Sequence, residues 1–197
     1  MADTPDPRLT AQLDFLTQAD RLKSVLRQTT LCDGSRRENS GEHSWHLALY
    51  AMTLGEHAPE GVQIDRVIRM LLLHDLVEID AGDVPIYTQS AENADAIAAA
   101  EARAADRIFG LLPAPQAREF RALWDEFEAA QTPDAQFAKA LDRFQPPIQN
   151  IASAGQSWLD QGVTYDMVDS RVGRVVRRSV PALWDHISGT VKALLAR

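Results

Sequence analysis

Apolar residues recur along most of this chain at intervals of three and four, the interval of one face of an α-helix. Leu13, Leu16, Leu22, Val25 and Leu26 keep that spacing and predict a first helix from about Thr10 to Gln28. A polar, turn-rich stretch from Cys32 to Gly41 interrupts the pattern. A second helix is expected from Glu42 to His57, ahead of Pro59-Glu60-Gly61. Asp65 can cap a third, running from Arg66 to Ile79. Asp80-Ala81-Gly82-Asp83-Val84-Pro85 then reads as a loop, because Gly and Pro stand where a helix would have to continue. An alanine-rich helix is predicted over Ala91 to Leu112, stopped by Pro113 and Pro115, and another over Gln116 to Ala130. Thr132-Pro133-Asp134 is a strong helix start, with Thr as cap, Pro in the first turn and Asp against the positive end of the dipole. That helix carries Phe137, Leu141, Phe144 and Ile148 on one side, and Pro146-Pro147 should kink or interrupt it. The stretch from Tyr165 to Ala196 is helical again, broken near Pro181. No strand-like alternation and no internal repeat stand out. The pattern predicts an all-α fold, a compact single-domain helical bundle.

Within this pattern His74 and Asp75 are out of place. They lie in the apolar run from Ile68 to Val77, and an unpaired carboxylate is costly to bury. A metal cation is the simplest way to neutralise Asp75. His43 upstream and Asp142 downstream can add ligands, giving a mixed N/O set suited to Mn²⁺, Co²⁺, Ni²⁺, Fe²⁺ or Zn²⁺, with Mg²⁺ also open. Four protein ligands around a six-coordinate ion leave positions for water and a substrate oxygen, as a catalytic site requires. A single histidine on an apolar face is more often a hydrogen-bonded core residue; the adjacent pair is what shifts the balance toward a metal. His46, one turn from His43, reads as a packing or supporting residue rather than a ligand. No histidine lies between His74 and His186, so one metal ion is the better expectation than two.

Composition narrows the partners. The chain has 197 residues, 45% hydrophobic and 24% charged, which suits one soluble domain. Its formal net charge of -8 argues against a nucleic-acid polymer, which demands a basic face. A small anionic substrate stays open, because a metal and one or two arginines can create a local positive site. Cys32 is the single cysteine, so no intrachain disulfide is possible. The acidic N-terminal segment lacks the apolar core of a signal peptide, and no stretch approaches the ~20 apolar residues of a membrane span. The cytoplasm is the expected location, with no membrane partner.

Several side chains are placed to do chemistry beside such a metal. Glu78 follows His74 by four residues and shares its helix face, where it could hold or deprotonate a bound water. Asp83, in the loop with Gly82, could meet a substrate hydroxyl. Arg27, Arg36 and Arg37 could hold phosphate through the guanidinium fork. Arg171, Arg174, Arg177 and Arg178 form a basic stripe that reads as a solvated or interface face.

These residues resemble a known family. Glu38-Asn39-Ser40-Gly41-Glu42-His43-Ser44 resembles the E-N-x-x-E/D-H-S segment of HD-domain phosphohydrolases, and His74 to Pro85 matches their H-D-x-x-E-x-x-x-G-D-x-P stretch. Leu123 to Glu128 and Lys139 to Asp142 resemble the L-W-x-E-[YF]-E and K-x-x-D regions. The likeness spans roughly residues 20 to 160 and is nearest the 5′-deoxynucleotidase branch, which removes phosphate from deoxynucleoside 5′-monophosphates. It implies an HD-type helical hydrolase domain over residues 9–197 after a flexible tail of residues 1–8. It implies His43, His74, Asp75 and Asp142 as metal ligands, and Glu78 as the catalytic carboxylate near the attacking water. By the same likeness Asp83 with the Val84-Pro85 backbone would contact the sugar, Arg27 would orient the phosphate, and the chain would be a homodimer. One departure stands out: Gln28-Thr29-Thr30 follows Arg27 where those deoxynucleotidases carry a tryptophan against the nucleotide. Two other readings stay open, an HD enzyme for triphosphates, cyclic nucleotides or an alarmone, and a metal-stabilised helical module without turnover. Glu78 and Asp83 argue against the module, since metal binding alone does not need them.

Overall fold

The computed structural model describes residues 6–196, and most of the expected tail lies outside them. Helix α1, Pro7–Ala19, starts where the Asp6 carboxylate accepts the Arg8 N–H at 2.9 Å. It does not extend to Gln28 as its apolar spacing predicts. The chain tightens into a 3₁₀ turn at Asp20–Ser24 and then forms a strand, β1, Leu26–Thr30, antiparallel to β2, Arg37–Asn39. This two-stranded pair corrects the expectation of no strands. Its physical origin is a short, Thr-rich segment whose pairing partner lies several residues on, which helical spacing does not register.

Helix α2, Ser40–Leu54, opens with a capping box. The Asn39 side chain accepts the Glu42 N–H at 2.9 Å, and Glu42 accepts the Asn39 N–H at 3.1 Å. The predicted start at Glu42 is thus two residues late. Helix α3, Ile64–Leu73, starts ahead of Asp65 because Asp134, from a distant helix, accepts the Gln63 N–H at 2.8 Å. Its buried Val67, Met70 and Leu71 keep the i, i+3, i+4 spacing. The expected continuation to Ile79 divides into a 3₁₀ turn, His74–Val77, and a short helix α4, Glu78–Ala81. Gly82 then takes φ of 78°, a left-handed conformation that glycine adopts without a Cβ penalty, and releases the loop that begins at Asp83.

Helices α5, Ala94–Phe109, and α6, Ala114–Ala129, follow close to expectation. Helix α7, Pro133–Ala152, starts at the Thr132 cap as read from the sequence, its hydroxyl accepting the Ala135 N–H at 3.2 Å. It runs uninterrupted through Pro146 and Pro147. Each proline removes one ladder N–H, and the Asn150 side-chain amide makes an additional bond to the Pro146 carbonyl at 3.0 Å. The C-terminal stretch comprises α8, Gln156–Asp160, α9, Tyr165–Val168, a π turn at Asp169–Gly173, α10, Arg174–Ser179, and α11, Pro181–Leu195. One core joins these elements, built on Leu47, Val67, Met70, Leu71, Ile108, Phe127, Phe137 and Leu141. Helices α2, α3 and α7 pack against one another at its centre, so functional side chains can reach one point from all three. Among the described residues no helix is long and apolar enough to cross a membrane.

Candidate active site

His43 projects from α2, His74 from the turn after α3, and Asp142 from α7. All three are buried, and one ligating atom of each lies within 4.8 Å of the others. His43 Nε2 is 3.0 Å from Asp142 Oδ1, and His74 Nε2 is 3.7 Å from the same oxygen. Each imidazole is oriented through its other nitrogen. His43 Nδ1 lies 3.1 Å from Gln145 Oε1, and His74 Nδ1 lies 2.8 Å from the Leu71 carbonyl. Both Nδ1 atoms can donate to these acceptors, leaving Nε2 to offer a lone pair to the centre. His74 Nε2 is buried and has no hydrogen-bond partner, which a cation at this point would supply. Two imidazoles and a carboxylate, aimed inward with an unpartnered nitrogen, fit a divalent ion.

Asp75 borders this centre. Its Oδ1 is 2.9 Å from His74 Nε2, while its Oδ2 accepts from Arg27 at 3.1 Å. Arg27 reaches the site from β1, and its NH1 also lies 3.8 Å from Asp83 and 4.0 Å from Glu78. Glu78 accepts from the Ser40 hydroxyl at 2.5 Å. His43, His74, Asp75, Asp142, Glu78, Asp83 and Arg27 therefore converge on one region, whereas Arg36, paired with Glu42, and Arg37, hydrogen-bonded to the Arg27 carbonyl, stay on the surface outside it. With Val84 and Pro85, most of the converging residues line one cavity of about 310 Å³.

The electrostatics are those of a site short of positive charge. Burial, reinforced by Asp75, pushes Glu78 up to about 9 despite Arg27. Burial also raises Asp83. Burial opposes the charge on Asp75, but His74 and Arg27 outweigh it and hold the carboxyl at about 2. Burial likewise opposes a charged His74, yet Asp75 and Asp142 outweigh it and push the imidazole up to about 10. Without a cation, a proton on His74 does part of the neutralising.

Three features escaped the sequence reading. Glu38, almost fully buried, accepts from Gln145 at 3.0 Å and from Gln149 at 2.8 Å and so braces the side chain that orients His43. Gln145 also donates to His46 Nδ1 at 3.1 Å, which gives His46 the supporting position expected of it. Trp158 of α8 and Tyr87 line the cavity, so aromatic surface absent after Arg27 arrives from another part of the chain. Glu38 was visible inside the segment that precedes His43; nothing local marks Gln145 or Trp158.

The chain matches the HD domain family over residues 19–184 and belongs to it. It is 30% identical to human 5′-deoxynucleotidase HDDC2 over 70% of this chain and 65% of that protein. It is 27% identical to the bovine protein of the same name over 93% of this chain and 87% of that protein. A crystal structure described as a predicted metal-dependent phosphohydrolase from Magnetospirillum magnetotacticum superposes with a TM-score of 0.84. That structure is 46% identical and covers 97% of this chain and 95% of its own. The PH0347 protein of Pyrococcus horikoshii, 20% identical with a TM-score of 0.65, shares the fold; it covers 92% of this chain and 99% of its own.

Proposed function

We propose that this chain is a metal-dependent phosphomonoesterase that hydrolyses (deoxy)nucleoside 5′-monophosphates to nucleoside and phosphate. The observation that carries the reading is the convergence of His43, His74 and Asp142, with Asp75 beside them, next to the under-neutralised Glu78, Asp83 and Arg27. One divalent ion would be held by His43, His74 and Asp142, with Asp75 beside them as the fourth ligand. The bound ion supplies Lewis-acid polarisation of a phosphoryl oxygen and makes water a better nucleophile at neutral pH.

The chain's own residues do the rest. Arg27, fixed by Asp75, offsets charge on the phosphate as the ester bond breaks. Glu78, steadied by Ser40, takes the proton of the attacking water. Positive charge in the centre favours its carboxylate form, which burial and Asp75 otherwise disfavour. Asp83 accepts from a sugar hydroxyl, with the Val84-Pro85 backbone closing on the ring. Tyr87, with the buried Trp158 at the same wall of the cavity, is placed to face the nucleoside and exclude water from it. The names of the relatives support a 5′-deoxynucleotide substrate. Two exposed apolar stripes support a homodimer, Leu9, Leu13 and Leu16 on α1 and Trp45, Leu49 and Met52 on α2. A cytoplasmic setting fits the exposed free Cys32.

Phosphate release from a panel of ribo- and deoxynucleoside 5′-monophosphates, with Mn²⁺, Co²⁺ or Mg²⁺ added, tests the reading. Metal-dependent release that is lost in Glu78→Gln is expected. Silence across the panel in a protein that binds metal would overturn it.

A further inference from the structure

We propose that a basic groove beside the candidate active site binds a second phosphate group on the substrate; the inference rests on the phosphohydrolase reading and extends it. The groove, about 590 Å³, lies between α7 and α10. Lys139, Arg143, Arg174 and Arg178 line it, together with Gln136 and Ser179, and no acidic residue does. Lys139 and Arg143 also line the active-site cavity, so the two spaces share a wall on α7. Asp142 lies between them in sequence, and Arg143 NH1 is 3.7 Å from its Oδ2.

The arginine stripe near the C-terminus divides into two kinds. Arg177 is committed to Asp169 by two hydrogen bonds of 2.8 and 3.0 Å. Arg171 is committed to the Ile86 carbonyl. Arg174 and Arg178 face the groove, and among the described residues neither has a carboxylate oxygen within 4.0 Å. In a chain of net charge -8, acidic partners are plentiful, and two guanidinium groups left without one create a local positive field that attracts anions. The Ser179 hydroxyl oxygen, buried at the same wall, also lacks a hydrogen-bond partner. Lys139 is paired with Glu128 at 2.9 Å, so the groups free to bind are the Arg174 and Arg178 guanidinium forks and the Ser179 hydroxyl, which match the several oxygens of a phosphate group. A nucleic-acid polymer would need a longer basic track than this short groove. The ligand class is therefore a nucleotide with a phosphate beyond the scissile one, on the 3′-oxygen or as a 5′-diphosphate.

Equilibrium titration of the Mn²⁺-loaded Glu78→Gln protein, which should bind without turnover, with dAMP, dADP and deoxyadenosine 3′,5′-bisphosphate tests this. At least one two-phosphate probe should bind about ten-fold more tightly than dAMP, the worth of one charge-assisted hydrogen bond at a partly solvated site. Which probe gains identifies the source of the second phosphate. The gain should collapse in Arg174→Glu/Arg178→Glu, and in the milder Arg178→Met if the double variant misfolds. Equal affinity for all three probes, or a gain that survives in the variants, overturns the inference. Binding needs no turnover, so a wild-type protein that binds but does not hydrolyse fails the phosphohydrolase reading alone. Hydrolysis of dAMP with no gain from a second phosphate fails this inference alone.

Discussion

Replacing Gln145 with leucine perturbs the metal centre without touching a ligand. Gln145 is fully buried, holds His43 Nδ1 at 3.1 Å, and donates to Glu38 at 3.0 Å. Leucine keeps the approximate volume and removes both of these hydrogen bonds together with the one to His46 Nδ1. The His43 N–H loses its acceptor, and Glu38 Oε1 keeps only Gln149. Each buried polar group deprived of a partner costs ~1–3 kcal/mol, so the metal-free protein should lose ~2–4 kcal/mol. Glu38 Oε2, 3.4 Å from His43 Nδ1, can recapture the proton and would bring the loss to the lower end. Freed to rotate or change tautomer, His43 should hold a divalent ion ~10–100-fold more weakly. Urea denaturation of the metal-free protein reads the first quantity, and calorimetric titration with Mn²⁺ reads the second. Lost stability with unchanged Mn²⁺ affinity would refute the argument that Gln145 sets the lone pair of His43.

Phe127→Ala removes a buried ring whose centroid is 4.8 Å from that of His74. It should cost ~3–5 kcal/mol in urea denaturation and also weaken metal binding. Tyr87→Ala should raise KM for nucleotides about ten-fold, the worth of one base–aromatic stack, while leaving KM for a small aryl phosphate nearly unchanged. In the metal-free protein burial opposes a charged His74, but Asp75 and Asp142 outweigh it and push the imidazole from its ordinary 6.5 up to about 10, so its proton contributes stability. That stability is fully present below 6.5 and lost as pH rises through 10. Because a bound cation displaces this proton, apparent metal affinity should rise about ten-fold per pH unit between pH 6 and 8. A flat affinity over that range in titration calorimetry would contradict the assignment.

The ligand candidates were legible because His74 and Asp75 break an apolar run, and because α2 and α7 carry their own start signals in Asn39-Glu42 and Thr132-Pro133-Asp134. What stayed hidden depends on partners far apart in the chain. Arg27 reads as the end of a helix, yet it lies on a strand whose side chain turns inward to Asp75. The start of α3 has no local signal, since the N–H of Gln63 just before it is held by Asp134, 71 residues away. Pro146 and Pro147 look like a break, but α7 is packed along its length and keeps its course. Gln145 and Trp158 have no local signature, since each owes its position to what packs against it.

Metal content of the purified protein, compared with that of Asp142→Asn and His74→Ala, tests the central claim most directly. The account predicts about one divalent ion per wild-type chain, almost none in either variant, and phosphate release from a nucleoside monophosphate only where the ion is held. Wild-type metal content and activity in folded His74→Ala or Asp142→Asn protein would contradict it.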